Sequence, residues 1–276
     1  MSKLPEMGLH EGVPFDIYQS WEAVSNSRLS LFNISPAHYQ CGYKPSTKSM
    51  DVGSIVHSVV LEDANFAVVP EFHLQSELIK GWEGTDGNVD AKGKPSTSKA
   101  TTWYKHKVEL FAAAHEHESI VSQDTYDMAM GVRASVQSPP AIFEGGKPEV
   151  SMLWRDDDSG LVCKGRVDYL CERRFIDLKT TASAMTFESS IQKFGYHRQM
   201  AFYMEGLKAC TGKHFEPWIC AVETEAPFGC RCAPVGLDAL VAGYNELRTL
   251  LEALSECVFT DTWPCYEDPV EWNLPT

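Results

Sequence analysis

The stretch Leu161-Val-Cys-Lys-Gly-Arg-Val-Asp-Tyr-Leu-Cys-Glu-Arg-Arg-Phe-Ile-Asp-Leu-Lys-Thr-Thr181 reads as two β-strands joined by a tight polar turn. In the first, Lys164, Arg166 and Asp168 alternate with Cys163, Gly165, Val167 and Tyr169; in the second, Asp177 and Lys179 alternate with Ile176 and Leu178. Side chains on a strand point to alternate faces, so Asp177 and Lys179 share one face. Pairing of the strands as a hairpin lets Asp168 join them there. Two carboxylates and an ammonium are costly in an apolar core, but they suit the surroundings of a divalent cation, which takes carboxylate oxygens. The competing reading is an ordinary amphipathic hairpin with solvated charges. The open face of the sheet is the expected place for Asp177 and Lys179.

Two helical patterns flank the hairpin. Residues 51–63 place Gly53, His57, Val60 and Leu61 on one helix face. A histidine there is most simply a core residue satisfied by its neighbours. Met185 to about Cys210 reads as one long helix, on which Gln199 and Tyr203 are four apart and stack on one side.

In this order, Gly53…His57, Gly165-Arg-Val-Asp168, Asp177-Leu-Lys179 and Gln199…Tyr203 resemble the motif series of the RecB-type branch of the PD-(D/E)XK nuclease superfamily. Ser-Arg-Leu…Ser-Pro-Ala-His-Tyr, within residues 27–39, and the phrase beginning Val121-Ser-Gln-Asp-Thr-Tyr-Asp further resemble the RecE (exonuclease eight) nuclease domain and phage-type exonucleases. The likeness spans most of residues 25–210. It implies an α/β fold with a restriction-endonuclease-like core, a central mixed sheet with helices on both faces. It implies that Asp168, Asp177, His57 and the backbone carbonyl of Leu178 hold Mg²⁺ or Mn²⁺, with Glu149 either near the metal or an ordinary strand-end residue. Lys179 would position or deprotonate a water, or stabilise charge on the phosphate. Gln199 and Tyr203 would orient this arrangement, and Arg166 would hold a phosphate or a carboxylate. Arg28 is placed for a DNA phosphate or as an exposed or capping residue. Glycine at 53 would let its helix approach the hairpin closely.

The implied activity is metal-dependent exonucleolytic hydrolysis of double-stranded DNA ends, 5′ to 3′, leaving 3′ overhangs for a RecT-like single-strand annealing partner. The likeness also implies a homo-oligomeric ring. The alternatives are another nuclease of this fold, single-strand or endonucleolytic, and a non-catalytic DNA-end-binding module.

Composition is compatible with this. The chain has 276 residues, 43% of them apolar, and a net charge of −14. That charge excludes a basic nucleic-acid coat protein and makes an acidic site reliant on metal to accept phosphate. No run approaches the ~20 apolar residues of a membrane span. The N-terminus lacks an apolar signal region, so a cytoplasmic protein of a bacterium or phage is expected. Nine cysteines form no regular framework. Some RecB-type nucleases hold an iron–sulfur cluster, but Cys41, Cys257 and Cys265 lack the close spacing it needs. Residues 1–50 read as an irregular arm with one short helix, and 51–276 as a single nuclease domain with a Gly-, Ser- and Lys-rich mobile loop at about 83–100. Asp156-Asp-Asp-Ser-Gly160 reads as a polar turn.

Overall fold

The computed structural model describes residues 4–42, 48–61, 66–68, 90–92, 98, 100–115, 119–137 and 143–266. Most of the expected loop at 83–100 lies outside the described residues. The strands are β1 (Gly8–His10), β2 (Phe66–Val68), β3 (Ser119–Val121), β4 (Lys147–Arg155), β5 (Val162–Leu170), β6 (Arg174–Thr181), β7 (Glu216–Glu223) and β8 (Cys230–Pro234). The helices are α1 (Phe15–Ser20), α2 (Asn26–Ile34), α3 (Pro36–Cys41), α4 (Lys48–Leu61), α5 (Thr102–Ala114), α6 (Gln123–Val136), α7 (Glu188–Lys193), α8 (Tyr196–Thr211) and α9 (Leu237–Thr260).

Six strands make the central sheet in the order β1-β4-β5-β6-β7-β8. Within this sheet, among the described residues, only β6 and β7 run parallel, so it is mixed, as expected; β2 and β3 pair in parallel as a separate two-stranded sheet. Helices cover both faces. On one, Leu29 and Phe32 of α2, Met200, Phe202 and Leu207 of α8, and Leu247, Leu251 and Leu254 of α9 pack with Met152, Trp154, Val167 and Phe175. On the other, Val56 and Leu61 of α4 and Val132 and Val136 of α6 pack with Ile176, Leu178, Cys220 and Val222. Each face buries its apolar stripe against helices, which is what drives a two-sided α/β layer arrangement. The helix α8 lies close on the sheet because two glycines leave room. A Cβ at Gly165 would come within 2.4 Å of Met152, and one at Gly206 within 2.8 Å of Met152 and Trp154.

Local signals explain the helix starts. Ser25 accepts from the Arg28 amide, Ser35 from the His38 amide with Pro36 next in the chain, and Ser122 from the Thr125 amide. Three expectations are corrected. The long helix after the hairpin is broken into α7 and α8, because Gly195 takes a left-handed conformation (φ 68°) between them. The N-terminal arm is more ordered than its composition suggests: it supplies three helices and β1, which pairs with β4 at the sheet edge. Gly53 is not crowded, since a Cβ there would meet only Thr180 Oγ1 at 3.9 Å, an ordinary contact. Among the described residues no helix is long and apolar enough to cross a membrane.

The polar turn of three aspartates ties the sheet to α9. Asp156 is buried; its Oδ2 accepts from the Ser159 amide and hydroxyl, and its Oδ1 from Arg248 at 2.7 Å, while Asp158 takes the other guanidinium nitrogen at 2.9 Å. Burial pushes the Asp156 carboxyl up, but the bonds from Arg248 and Ser159 outweigh it and hold its pKa below the usual value. That stabilisation is present above the unfolded-state pKa and is lost as pH falls through the lower folded one. Asp156→Ala should cost about 2 kcal/mol in urea unfolding at neutral pH. The gap to wild type should narrow below about pH 4; a constant gap would refute the linkage.

Candidate active site

The central hairpin does not stay paired. β5 and β6 form a ladder only at Tyr169↔Ile176 and Leu170↔Phe175, next to their turn. Beyond it the strands part, and the amide of Leu178 donates to the carboxylate of Asp168 (Oδ2, 2.6 Å) instead of to a strand carbonyl. A buried amide needs an acceptor, and here a side chain supplies it.

Three donors meet at this point. His57 comes from α4, Glu149 from β4 and Asp168 from β5. One ligand atom of each lies within 4.8 Å of the others. His57 Nε2 donates to the Leu178 carbonyl at 3.0 Å and sits 3.6 Å from Asp168; its Nδ1 is 3.6 Å from Glu149. Glu149 has a left-handed backbone, φ 52°, which a non-glycine residue adopts only at a cost. Arg166 holds it there, pairing through Nε with Glu149 Oε2 and donating NH1 to the Val13 carbonyl at 2.7 Å.

Asp177 and Lys179 form a second group beside the first. Asp177 is 1% exposed, so the expected open face is in fact enclosed by α8. Lys179 Nζ is 2.5 Å from Asp177 Oδ2, a close ammonium–carboxylate pair. Gln199 Nε2 donates to Asp177 Oδ1 at 2.9 Å and lies 3.1 Å from the Tyr203 hydroxyl. Thus Gln199 and Tyr203, one helical turn apart, reach the hairpin as a unit. Asp177 lies outside the three-donor group.

The site opens into a cleft of about 1210 Å³, whose lining includes Ser25, Ser27 and Arg28 at the start of α2. There the Arg28 guanidinium lies 4.2 Å over the Tyr39 ring, a cation–π contact. Arg166 is committed to Glu149 and Val13, which fits the carboxylate-holding alternative.

Burial pulls the His57 pKa down, but Asp168 and Glu149 beside it outweigh this and raise it to about 9. Burial and the nearby Asp177 charge, against His57, hold the Asp168 carboxyl above the usual carboxylate range. Glu149 is pushed up by burial and brought below its ordinary value by His57 and Arg166. Burial opposes the charge on Lys179, yet Asp177 and Asp168 raise its pKa above the ordinary value. Lys179 is therefore an ammonium.

These residues fit a divalent cation. Oxygens of Asp168, Glu149 and Leu178 converge on a single ring nitrogen pair of His57, with no thiol among them. A mixed oxygen and imidazole set suits Mg²⁺ or, with the nitrogen, Mn²⁺. A proton on His57 offsets the charge of the two carboxylates, and a cation there would take over that role.

Sequence reasoning overlooked several participants. Lys164, on the strand bearing Asp168, donates to the carbonyls of Tyr18, Gln19 and Trp21 at 3.0, 2.9 and 2.7 Å. Tyr196 offers its ring to Lys179 Nζ at 4.9 Å. His197 and Arg198 both pair with Glu246 of α9, and Arg198 also donates to Ser30 at 2.7 Å, which fixes α8 against α2 and α9. The charge of Lys164 and Arg198 at strand and helix positions facing the core was the available signal.

A mixed sheet whose middle hairpin opens around a carboxylate cluster, with Asp-x-Lys on the second strand, defines the PD-(D/E)XK class. The family described as "PDDEXK-like domain of unknown function (DUF3799)" matches residues 25–272, and the chain belongs to it. No curated protein matches. Among solved structures, one described as "Putative exonuclease" from Eubacterium rectale is similar at a TM-score of 0.57 and 14% identity, covering 97% of each chain; at this identity the likeness is one of fold. The alkaline exonuclease LHK-Exo of Laribacter hongkongensis is similar over 59% of this chain and 87% of its own, at 18% identity and a TM-score of 0.27.

Two measurements check the site. Glu149→Gly and Glu149→Ala both remove the carboxylate, but only glycine accepts φ 52° freely. The glycine variant should be more stable than the alanine variant by about 1 kcal/mol in urea unfolding, with Mn²⁺ binding weakened in both. Equal stability would remove the strain. Metal must displace the His57 proton below its pKa of about 9. Mn²⁺ affinity, followed by calorimetry, should therefore rise about tenfold per pH unit from about pH 7.5 to 8.5, more steeply below about 7 where the Asp168 carboxyl also holds its proton, and level off above about 9. A flat profile would exclude His57 as a ligand.

Proposed function

We propose that the chain is a metal-dependent exodeoxyribonuclease that hydrolyses phosphodiester bonds at double-stranded DNA ends. The observation that carries this reading is the meeting of His57, Glu149 and Asp168 at the point where the hairpin opens, beside the Lys179 ammonium and inside a cleft. Membership of the PDDEXK-like family supports it.

His57, Glu149, Asp168 and the Leu178 carbonyl would hold Mg²⁺ or Mn²⁺, with Asp177 reaching the same centre once its contact with Lys179 loosens. A cation there supplies charge neutralisation at the scissile phosphate and acidifies a water. The residues do the rest. Lys179, already protonated, donates to the oxygen that gains negative charge, or holds the attacking water in line; its raised pKa argues against proton abstraction. Asp177 aims Lys179, and Gln199 with Tyr203 aims Asp177. Arg28 at the cleft wall anchors a further phosphate of the strand. We assign the direction as 5′ to 3′, with a 3′ overhang passed to a RecT-like annealing partner, a ring-shaped homo-oligomer as the working form, residues 51–276 completed by the N-terminal arm as the nuclease domain, and the cytoplasm of a bacterium or phage-infected cell as the setting.

The test is digestion of end-labelled linear duplex with and without Mg²⁺, beside a closed circular control. Linear DNA should be lost only with metal, and Lys179→Ala should lower the rate at least about 100-fold while keeping wild-type secondary structure. Cleavage of the circle would make the protein an endonuclease. No cleavage with any divalent metal would leave DNA-end binding as the function.

A further inference from the structure

The metal-site residue Glu149 is held by a chain of contacts that begins far from it in sequence. Arg166 grips Glu149 on one side and the Val13 carbonyl on the other. The rings of Phe15 and Tyr18 flank its guanidinium at 5.8 and 5.9 Å. The segment carrying these groups, residues 13–21, is pinned to the sheet by Lys164, whose ammonium takes three main-chain carbonyls at the C-terminal end of α1, those of Tyr18, Gln19 and Trp21. Lys164 is buried, at 7% exposure. A buried ammonium in that position gives up three carbonyl acceptors if the arm leaves. On the other side of Val13 the arm is stitched by the Glu11–Lys147 pair at 2.6 Å and by the pairing of β1 with β4 at Gly8↔Leu153 to His10↔Ser151. The family match begins at residue 25, after this arm.

We propose that Lys164 is a positioning residue for the metal centre: by pinning the N-terminal arm it locks Arg166, and Arg166 keeps Glu149 in its strained, metal-facing conformation. The inference rests on the metal-site reading above. Its sign sets it apart from plain electrostatics. Removing a positive charge near a cation site should tighten metal binding, whereas unlocking the arm should weaken it.

The experiment is a calorimetric Mn²⁺ titration of the full chain as wild type, Lys164→Met, Arg166→Gln and the double variant. Wild type binds. Lys164→Met should bind about tenfold more weakly, the lower end for groups that orient ligands. In the Arg166→Gln background the same change should have no further effect on affinity, because the two act in series, although it should still lower the melting temperature. Tighter binding in Lys164→Met, or an equal loss in both backgrounds, overturns the proposal. Absence of Mn²⁺ binding in wild type sinks the metal-site reading itself, and the proposal with it. A second measurement needs no variant. Coupling is reciprocal, so Mn²⁺ should slow hydrogen exchange of wild-type amides in residues 15–21, which hold no ligand, while leaving α3 unchanged. Unchanged exchange in the arm overturns the proposal even where Lys164→Met fails to fold.

Discussion

The bond from the Leu178 amide to the Asp168 carboxylate is the hinge of this molecule. It replaces a ladder bond between two strands that could have gone on pairing, and so it turns a plain hairpin into a fork. Everything chemical sits in that fork. The Leu178 carbonyl is turned to His57, and Asp177 and Lys179 stand on the strand that has swung away. A carboxylate that accepts an amide bond cannot be lost without leaving that amide buried and unpaired. Site and fold therefore share a group.

The enclosure of the site follows from how the sheet is covered. The close packing of α8, through its own Gly206 against Met152 and Trp154 and over Gly165 of β5, brings Gln199 down onto Asp177 and closes the face on which the Asp-x-Lys pair lies. Behind α8, the His197–Glu246 and Arg198–Glu246 contacts join it to α9. The outcome is a set of charges that perturb one another strongly. His57 is held as a cation by two acids, and Lys179 stays charged through Asp177 although burial opposes it. Such mutual perturbation in a cleft is the electrostatic mark of a functional site.

How much could be read from the chain varied with the range of the interaction. Asp177 and Lys179 were legible because strand alternation is a rule of period two, and Gln199 with Tyr203 because a helix repeats every turn. His57 came into view only through the ordered motif series. Its partners, Glu149 and the Leu178 carbonyl, lie 92 and 121 residues away along the chain. The break at Gly195 was written in the sequence as a glycine, but the helical pattern continued across it and the residue was read through. Strand alternation puts Lys164 on a face with Arg166 and Asp168 and says nothing of its burial, which depends on an arm that crosses over it more than 140 residues earlier in the chain.

By itself, the sequence determined the two strands, the helices that flank them, the types of group available for metal and phosphate chemistry, and the class to which these belong, because each of these is a local pattern. The tertiary structure alone decided where β5 and β6 part, that Glu149 and not Asp177 stands with His57 and Asp168, that Arg166 pairs with a carboxylate, and that the N-terminal arm reaches the site. Those outcomes depend on which distant groups must satisfy one another's charges and hydrogen bonds once water has been excluded, and no local repeat encodes them.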